Sequence, residues 1–184
     1  MIIVKQNKKS LEKACAILKK GGVVVYPTDT AYAMGGIFNS KKVTEKILKI
    51  KKRKDEKFTV IACSFKQADD FFKLNFLQKK LAKKYWPGPL SIVVSKRFAV
   101  RVPKEKISIT LSRLVGKPLI ATSANISGQE TLYNSKDIIK QFKDKKNQPD
   151  LMVDCKRLEK NKTSTIVLCK GDRVEVLRPG SVKI

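Results

Sequence analysis

Apolar residues recur along this chain in two periods, one typical of buried strands and the other typical of amphipathic helices. The clearest strand covers residues 23–26, a β-branched and aromatic run that follows a glycine pair and ends at Pro27. An apolar run without alternation predicts a strand that is buried on both faces of a sheet. Three polar residues, Thr28 to Thr30, follow it directly. Because open α/β sheets bind ligands at the carboxyl ends of their strands, we expect a site there.

Helical and strand-like patterns alternate over the rest of the sequence. Apolar residues spaced three and four apart predict six helices. Three of them begin at the potential capping residues Ser10, Ser40 and Ser135, and three span residues 64–72, 77–85 and 107–115. Short apolar runs predict eight further strands, at residues 2–4, 58–63, 90–95, 98–102, 118–122, 151–155, 165–169 and 174–177.

This alternation, with a late hairpin at residues 171–172, predicts an α+β (α/β-like) fold, in which helices flank a twisted mixed sheet. A chain of 184 residues is long enough for one well-buried domain and short for two. No internal repeat or low-complexity linker divides it. We therefore expect residues 1–184 to form a single domain.

Several classes of protein are excluded by what the chain lacks. No apolar run approaches the roughly 20 residues that cross a bilayer, and the first residues become charged too early for a signal peptide. We therefore expect a cytoplasmic protein without membrane contact. The four cysteines form no Cys-x-x-Cys pair, and the chain has no histidine. A zinc site, a Ser-His-Asp hydrolase and a Cys-His hydrolase are thus excluded.

The formal net charge of +25 has two explanations. A polyanion such as tRNA, or a phosphate-rich ligand, would be attracted to so basic a protein. Alternatively, the lysines are spread over the whole chain because the source genome favours them. The sequence does not place the lysines on one face, so both explanations stay open.

Small polar clusters stand at the ends of the predicted strands and helices. They are Thr28-Asp29-Thr30, Lys51 with Arg53, Ser123 with Asn125, and Arg178, with Arg101 and Ser164 as two further candidates. Lysine and arginine in a loop supply fixed positive charge for phosphate oxygens. Taken singly, each cluster is equally explained by a helix cap, a turn or a solvated surface. Taken together, they suit a nucleotide and a small polar acid.

In this order the motifs resemble those of a known family. They are Tyr26-Pro-Thr-Asp-Thr-Ala-Tyr, Lys51-x-Arg53, Trp86-Pro-Gly-Pro-Leu, Val100-Arg-Val-Pro, Ser123-Ala-Asn, Ser164-Thr-Ile-Val and Arg178-Pro-Gly. The sequence is identified as a member of the YrdC-like threonylcarbamoyl-AMP synthase family in its short, single-domain form. The resemblance runs from about the first helix to Gly180 and implies a single YrdC/RibB-like domain.

The resemblance implies an ATP-dependent enzyme. Members of this family condense L-threonine, bicarbonate and ATP to L-threonylcarbamoyl-adenylate and release pyrophosphate. A downstream threonylcarbamoyl transferase then modifies an adenosine in tRNAs that read codons beginning with A. Mg²⁺ is expected to accompany ATP, and no protein ligand is assigned to a metal.

The resemblance also implies roles for nine residues. Lys51 and Arg53 correspond to the catalytic pair that handles the ATP phosphates. The other residues assigned to ATP are Asn125, Tyr133 and Arg178. Those assigned to L-threonine are Thr28, Arg101, Ser123 and Ser164.

The chain departs from the family pattern at a few positions. Lys52 and Lys54 replace a small residue and a proline around the Lys-x-Arg motif, and Phe58 replaces the proline that usually follows Lys57. In relatives, a residue near Tyr133 is usually a small hydroxyl residue. Since the core pair is retained, these changes concern the shape of the loop and its affinity for ATP more than activity.

Two other functions remain compatible with the sequence. One is a basic module that binds tRNA or a ribosome precursor without chemistry of its own, and weak tRNA binding is also compatible with a synthase. The other is a carbamoyl-transfer relative that acts on a different acceptor. Salt-dependent RNA affinity without ATP turnover would favour the first, and competition between amino acids would identify the second.

Overall fold

The computed structural model describes residues 1–184, which form six helices and one ten-stranded sheet. The strands are β1 (Ile2–Lys5), β2 (Val24–Pro27), β3 (Tyr32–Gly35), β4 (Phe58–Ile61), β5 (Leu90–Val93), β6 (Phe98–Arg101), β7 (Leu119–Ser123), β8 (Leu151–Asp154), β9 (Thr165–Lys170) and β10 (Arg173–Arg178). The helices are α1 (Lys8–Lys19), α2 (Lys41–Lys51), α3 (Phe65–Phe72), α4 (Phe76–Tyr85), α5 (Lys106–Val115) and α6 (Ser135–Phe142). None of them combines the length and hydrophobicity that a bilayer crossing requires.

The strands follow one another across the sheet in the order β1-β8-β2-β3-β7-β4-β6-β5-β9-β10. The pairs β1–β8, β8–β2, β4–β6 and β5–β9 are parallel. The other five neighbouring pairs are antiparallel. The predicted mixed sheet flanked by helices is therefore confirmed, as are the six helices and nine strands that the sequence patterns indicated.

β3 is the one strand that the hydrophobic pattern did not predict. Its four residues are too few, and too varied in size, to show a period of their own. It forms because the chain turns back after β2, where the Thr28 amide donates to the Ala31 carbonyl at 3.0 Å. β2 itself is buried along its whole length, as predicted. The polar residues after β2 thus lie in a hairpin turn and not at an open strand end.

Two of the predicted helix caps are wrong. α1 is capped by Asn7, whose side chain accepts the Ser10 amide at 2.9 Å, and Ser10 is a buried residue inside the helix. α6 is capped by Asn134 and not by Ser135. Asparagine caps a helix about as well as serine does, so the sequence pattern did not separate the two. Ser40 does cap α2, as predicted.

Helices cover the two faces of the sheet unequally. One face packs against α2 and α6 at one end and against α3 and α4 at the other. The opposite face packs against α1 and α5, through apolar side chains such as Leu18 and Leu111. No residue of β5, β6 or β9 belongs to this second core. Part of that face is therefore left without a covering helix.

Gly35 in β3 allows β3 and β7 to approach each other. A Cβ atom added at this position would overlap the carbonyl oxygen of Ile120. The β7 backbone is held in place because the Ile120 amide donates to the Gly36 carbonyl at 2.8 Å. We expect Gly35→Ala to lower the free energy of unfolding by about 3 kcal/mol, measured by urea denaturation.

The matched control is Lys49→Ala on the exposed side of α2. A surface substitution of this kind changes stability by about 0.5 kcal/mol or less. Equal stability losses in the two variants would contradict the close approach of the two strands.

Candidate active site

A cavity of about 820 Å³ extends from the margin of the core under α1 and α5, at Ala33 and Ala121, over the part of the same sheet face that these helices leave uncovered. Its floor consists of alternate residues from neighbouring strands, all of which point to the same face. Several of these floor residues are small, namely Ala33, Thr59, Ala99 and Ala121. Larger side chains such as Val60, Val100 and Ile120 lie on the opposite face, inside closed cores. The small residues therefore create room for a ligand on a rigid sheet.

Seven of the nine residues assigned from the sequence line this cavity. They are Thr28, Arg53, Arg101, Ser123, Tyr133, Ser164 and Arg178. The two that do not are Lys51 and Asn125, which are 2% and 5% exposed. The structure therefore brings most of the candidates together, although their individual roles toward a ligand remain predictions.

The turn after β2 holds a buried arginine at one end of the cavity. Arg101 is 4% exposed, and its Nη1 lies 2.9 Å from Oδ1 of Asp29. Its Nη2 donates to the hydroxyl of Thr30 at 3.2 Å. Thr30 belongs to a polar cluster that the sequence singled out, but no ligand was assigned to it, and only the folded turn brings it to Arg101. Asp29, whose role the sequence left open, is the ionic partner of this arginine.

The Thr28 hydroxyl is used within the same turn. It donates to the Ala31 carbonyl at 2.7 Å and accepts the amides of Thr30 and Ala31, both at 3.2 Å. Thr28 thus shapes the turn that presents Thr30 and Asp29 to Arg101. Its predicted contact with L-threonine stays a prediction.

Arg101 keeps donor atoms that the protein does not fully use. Nε and Nη1 make no well-aligned hydrogen bond, although Nη1 is close to Asp29. Burial lowers the pKa of the guanidinium, and the nearby Asp29 carboxylate opposes that effect. Arginine stays charged in proteins even so. A buried, permanently charged fork with unused donors is suited to a carboxylate ligand.

Arg178 lies at the same end of the cavity as Arg101. Its Nη2 donates to the carbonyl of Ser164 at 2.8 Å and to the hydroxyl of Ser164 at 3.0 Å. That hydroxyl is also 3.0 Å from the hydroxyl of Ser91. Burial lowers the pKa of Arg178, and the positive charge of Arg101 lowers it further. Arg178 therefore lies beside residues that the resemblance assigned to L-threonine, whereas the resemblance assigned Arg178 itself to ATP.

A second group of cations lines the cavity near the amino ends of β4 and β6, about 10 Å from Arg101 along β6. Arg53 is fixed there by donating to the carbonyls of Asp55 and Lys57 at 2.7 and 2.6 Å. Lys57, Lys96 and Arg97 complete the group. Their positions along the sequence give no sign of this, because in so basic a chain nothing distinguishes them from solvated surface residues.

All charged side chains in the cavity wall are positive. Six cations are found among the 29 lining residues, and no aspartate or glutamate is. The chain contains no group of three or more Cys, Asp or Glu side chains that is able to hold a metal ion. The cavity therefore suits an anionic ligand, and its own residues form no metal cage.

The ion pair of Asp29 with Arg101 is buried, so its loss is expected to be costly. Asp29→Ala leaves the arginine charge unpaired and is expected to lower the free energy of unfolding by about 3–5 kcal/mol. The double variant with Arg101→Met removes both charges and is expected to lose less than Asp29→Ala alone. Denaturation with guanidinium chloride measures the free energy of unfolding of the wild-type protein, of Asp29→Ala and of the double variant.

The exposed pair of Arg97 with Glu56 provides the control for this experiment. Glu56→Ala is expected to cost about 1 kcal/mol or less, because solvent screens the charge. A double variant that is less stable than Asp29→Ala alone would show that the charges of Asp29 and Arg101 do not stabilise each other.

Comparisons with known proteins agree with this architecture. Residues 16–180 match the Sua5/YciO/YrdC family model, which is described as "Telomere recombination". A Methanocaldococcus jannaschii protein named putative threonylcarbamoyl-AMP synthase is 30% identical, over 99% of this chain and 93% of its own length. A Psychromonas ingrahamii protein named threonylcarbamoyl-AMP synthase is 32% identical, over 78% of this chain and 83% of its own length.

Two solved structures show the same fold at 25% sequence identity. E. coli YciO superposes with a TM-score of 0.83, over 97% of this chain and 94% of its own. P. abyssi Sua5 complexed with L-threonine superposes with a TM-score of 0.84, over 97% of this chain. The match spans only 57% of the P. abyssi chain, which is longer. With these relatives and the family match over most of its length, the chain belongs to the Sua5/YciO/YrdC family.

Proposed function

We propose that this protein is a threonylcarbamoyl-AMP synthase. It joins L-threonine, bicarbonate and ATP to L-threonylcarbamoyl-adenylate and releases pyrophosphate and water. The observation that carries the proposal is a large cavity with six cations and no carboxylate in its wall. Such a wall attracts both a nucleoside triphosphate and a carboxylate. The names of the family relatives support the same reaction.

The end of the cavity near Arg101 is proposed to bind L-threonine. Arg101 supplies a buried positive charge for the carboxylate, and the hydroxyls of Thr30 and Ser164 lie nearby for the polar groups of the amino acid. Arg178 adds a second positive charge at this end. The complex of P. abyssi Sua5 with L-threonine supports this choice of substrate.

The group near Arg53 is proposed to bind the phosphates of ATP. Arg53, Lys57, Lys96 and Arg97 line one side of the cavity, and only Arg97 has an acidic side chain as partner. Arg53 is rigid because two carbonyls and the ring of Phe58, 4.7 Å away, hold its guanidinium. A fixed guanidinium loses little entropy when it grips two phosphate oxygens.

The chemistry requires orientation and charge stabilisation more than acid–base catalysis. Threonine carbamate, once formed, is already an anion, and one of its oxygens attacks the α-phosphorus of ATP. The bond from that phosphorus to the bridging oxygen breaks, and pyrophosphate leaves with the electron pair. Cations placed beforehand stabilise the charge that grows on the phosphate oxygens. The absence of carboxylates from the cavity wall is compatible with a reaction that needs no protein base.

Mg²⁺ is proposed to enter bound to the phosphates of ATP. The cavity wall offers it no carboxylate, and the nearby Asp29 is engaged by Arg101. When bound in this way, the ion neutralises part of the triphosphate charge. The protein residues therefore hold the phosphates and not the metal.

The product is proposed to pass to a downstream threonylcarbamoyl transferase that modifies tRNA. The basic character of the chain, +25 overall, is also compatible with weak RNA binding. A purely RNA-binding function is the second candidate, favoured by this charge. The two candidates differ in whether the protein turns over ATP.

The direct test is to mix the protein with ATP, Mg²⁺, bicarbonate and L-threonine and to measure pyrophosphate. We expect release that requires threonine and bicarbonate, together with a product whose mass is that of threonylcarbamoyl-adenylate. Release at the same rate without threonine would contradict the proposal. Steeply salt-dependent RNA affinity with no pyrophosphate would instead support the RNA-binding candidate.

Removing the fixed guanidinium tests the phosphate end of the cavity. Arg53→Ala is expected to lower kcat/KM for ATP by about 10- to 100-fold, because a charge-assisted contact is lost. Lys54→Ala removes the same charge from an exposed neighbour that does not line the cavity and is the matched control. Steady-state kinetics with ATP varied would show the difference, and equal effects would mean that the loop acts only through its net charge.

A further inference from the structure

Lys51 is the last residue of α2, and the end of this helix directs it into the protein. The next residue, Lys52, adopts a left-handed conformation with φ of 53°, and the Arg53 amide donates back to the Leu48 carbonyl at 3.1 Å. This reversal turns the chain out toward the cavity at Arg53 while the Lys51 side chain stays inside. Lys51 is therefore 2% exposed, although it is only two residues from a cavity-lining arginine.

The Lys51 ammonium is bound by the turn that follows β7. Nζ donates to the carbonyl of Ser123 at 2.6 Å and to the carbonyl of Asn125 at 2.7 Å. It is also 3.4 Å from the Ser123 hydroxyl and 3.3 Å from Oδ1 of Asn125. The Lys51 carbonyl in turn accepts the Ser127 amide at 3.0 Å. Lys51 thus contacts the start of the turn through its side chain and the end of the turn through its backbone carbonyl.

Asn125 is held inside in the same way. Its Oδ1 is directed at Lys51, and its Nδ2 donates to the Gln129 carbonyl at 2.6 Å. With 5% exposure, Asn125 does not line the cavity. Of the Lys51, Ser123 and Asn125 group, only Ser123 faces the cavity.

We propose that Lys51 is a positioning residue, whose buried ammonium fixes the 123–125 turn so that Ser123 is correctly placed in the cavity. It does not grip a phosphate itself. This inference rests on the proposed function for its kinetic consequences, but not for the structural role of the ammonium. It differs from the assignment by resemblance, in which Lys51 contacts ATP directly.

The charge on Lys51 has no carboxylate partner among its hydrogen-bond acceptors. Burial, and to a smaller extent the positive charge of Arg53, lower its pKa to about 8. The ammonium is therefore charged below pH 8 and loses its proton as the pH rises through that value. Because hydrogen bonds from a charged donor are stronger, the turn is expected to loosen on the alkaline side.

The first experiment uses the ligand-free protein and hydrogen exchange. The amides of Ala124 and Ser127 report the turn, since they donate to the carbonyls of Tyr32 and Lys51. In Lys51→Met we expect these amides to exchange at least tenfold faster, whereas Lys49→Met on the exposed side of α2 leaves them unchanged. In the wild-type protein, their protection factors are expected to fall between pH 7 and pH 9.5.

The second experiment is a double-mutant cycle in kcat/KM for ATP. If Lys51 acts through the turn, Lys51→Met combined with Ser123→Ala is expected to lose little more than Lys51→Met alone. Independent, multiplicative losses together with unchanged exchange at residues 124–127 would overturn the proposal in favour of a direct phosphate contact.

If the protein has no synthase activity, the hydrogen-exchange result still decides the role of Lys51. If Lys51→Met does not fold, the pH dependence of protection in the wild-type protein decides it: protection factors that stay constant from pH 7 to about pH 11.5, beyond the ordinary pKa of a lysine, overturn the proposal.

Discussion

The site depends on the incomplete covering of one face of the sheet. α1 and α5 pack on that face over β2, β4, β7 and β8 and leave β5, β6 and β9 without a second core. β4, β6 and β7 carry small residues toward the cavity and larger ones toward the closed core on the other side, as with Thr59 beside Val60 and Ala99 beside Val100. One side of each strand therefore stabilises the fold by burying apolar surface, while the other side forms a rigid floor for a ligand. The cavity is a consequence of how the helices are distributed.

Two buried cations are stabilised in different ways, and this difference organises the site. Arg101 has a carboxylate partner in Asp29, and its Nε and Nη1 make no well-aligned hydrogen bond within the protein. Lys51 has only carbonyl, hydroxyl and amide oxygens around it, so its positive charge is not neutralised locally. A buried, unneutralised charge favours a nearby anion, because the low dielectric of the protein interior screens it little. Both arrangements thus favour anionic ligands, Arg101 at the end of the cavity proposed for the carboxylate and Lys51 near the end proposed for the phosphates.

The regular elements were predictable because they depend on local periodicity. β2 has an uninterrupted apolar run and α2 has the Ser40 cap with apolar residues on one side, and both form where expected. β3 was missed because four residues of mixed size exist as a strand only through pairing with β2 and β7. The caps at Asn7 and Asn134 were missed because two suitable capping residues stand close together in the sequence.

The sequence by itself determined the fold class and the family, because periodicity and ordered motifs are properties of the linear chain. It also identified seven of the 29 residues that line the cavity, since polar side chains at strand ends are few enough to recognise. Only the tertiary structure decided which of them face the cavity. Arg53 points outward and Lys51 inward because of a helix end at Lys52, and Arg178 joins Arg101 because β10 pairs with β9. The direction of a side chain and the residues it contacts depend on how segments that are distant in the sequence pack together. No local sequence pattern contains that information.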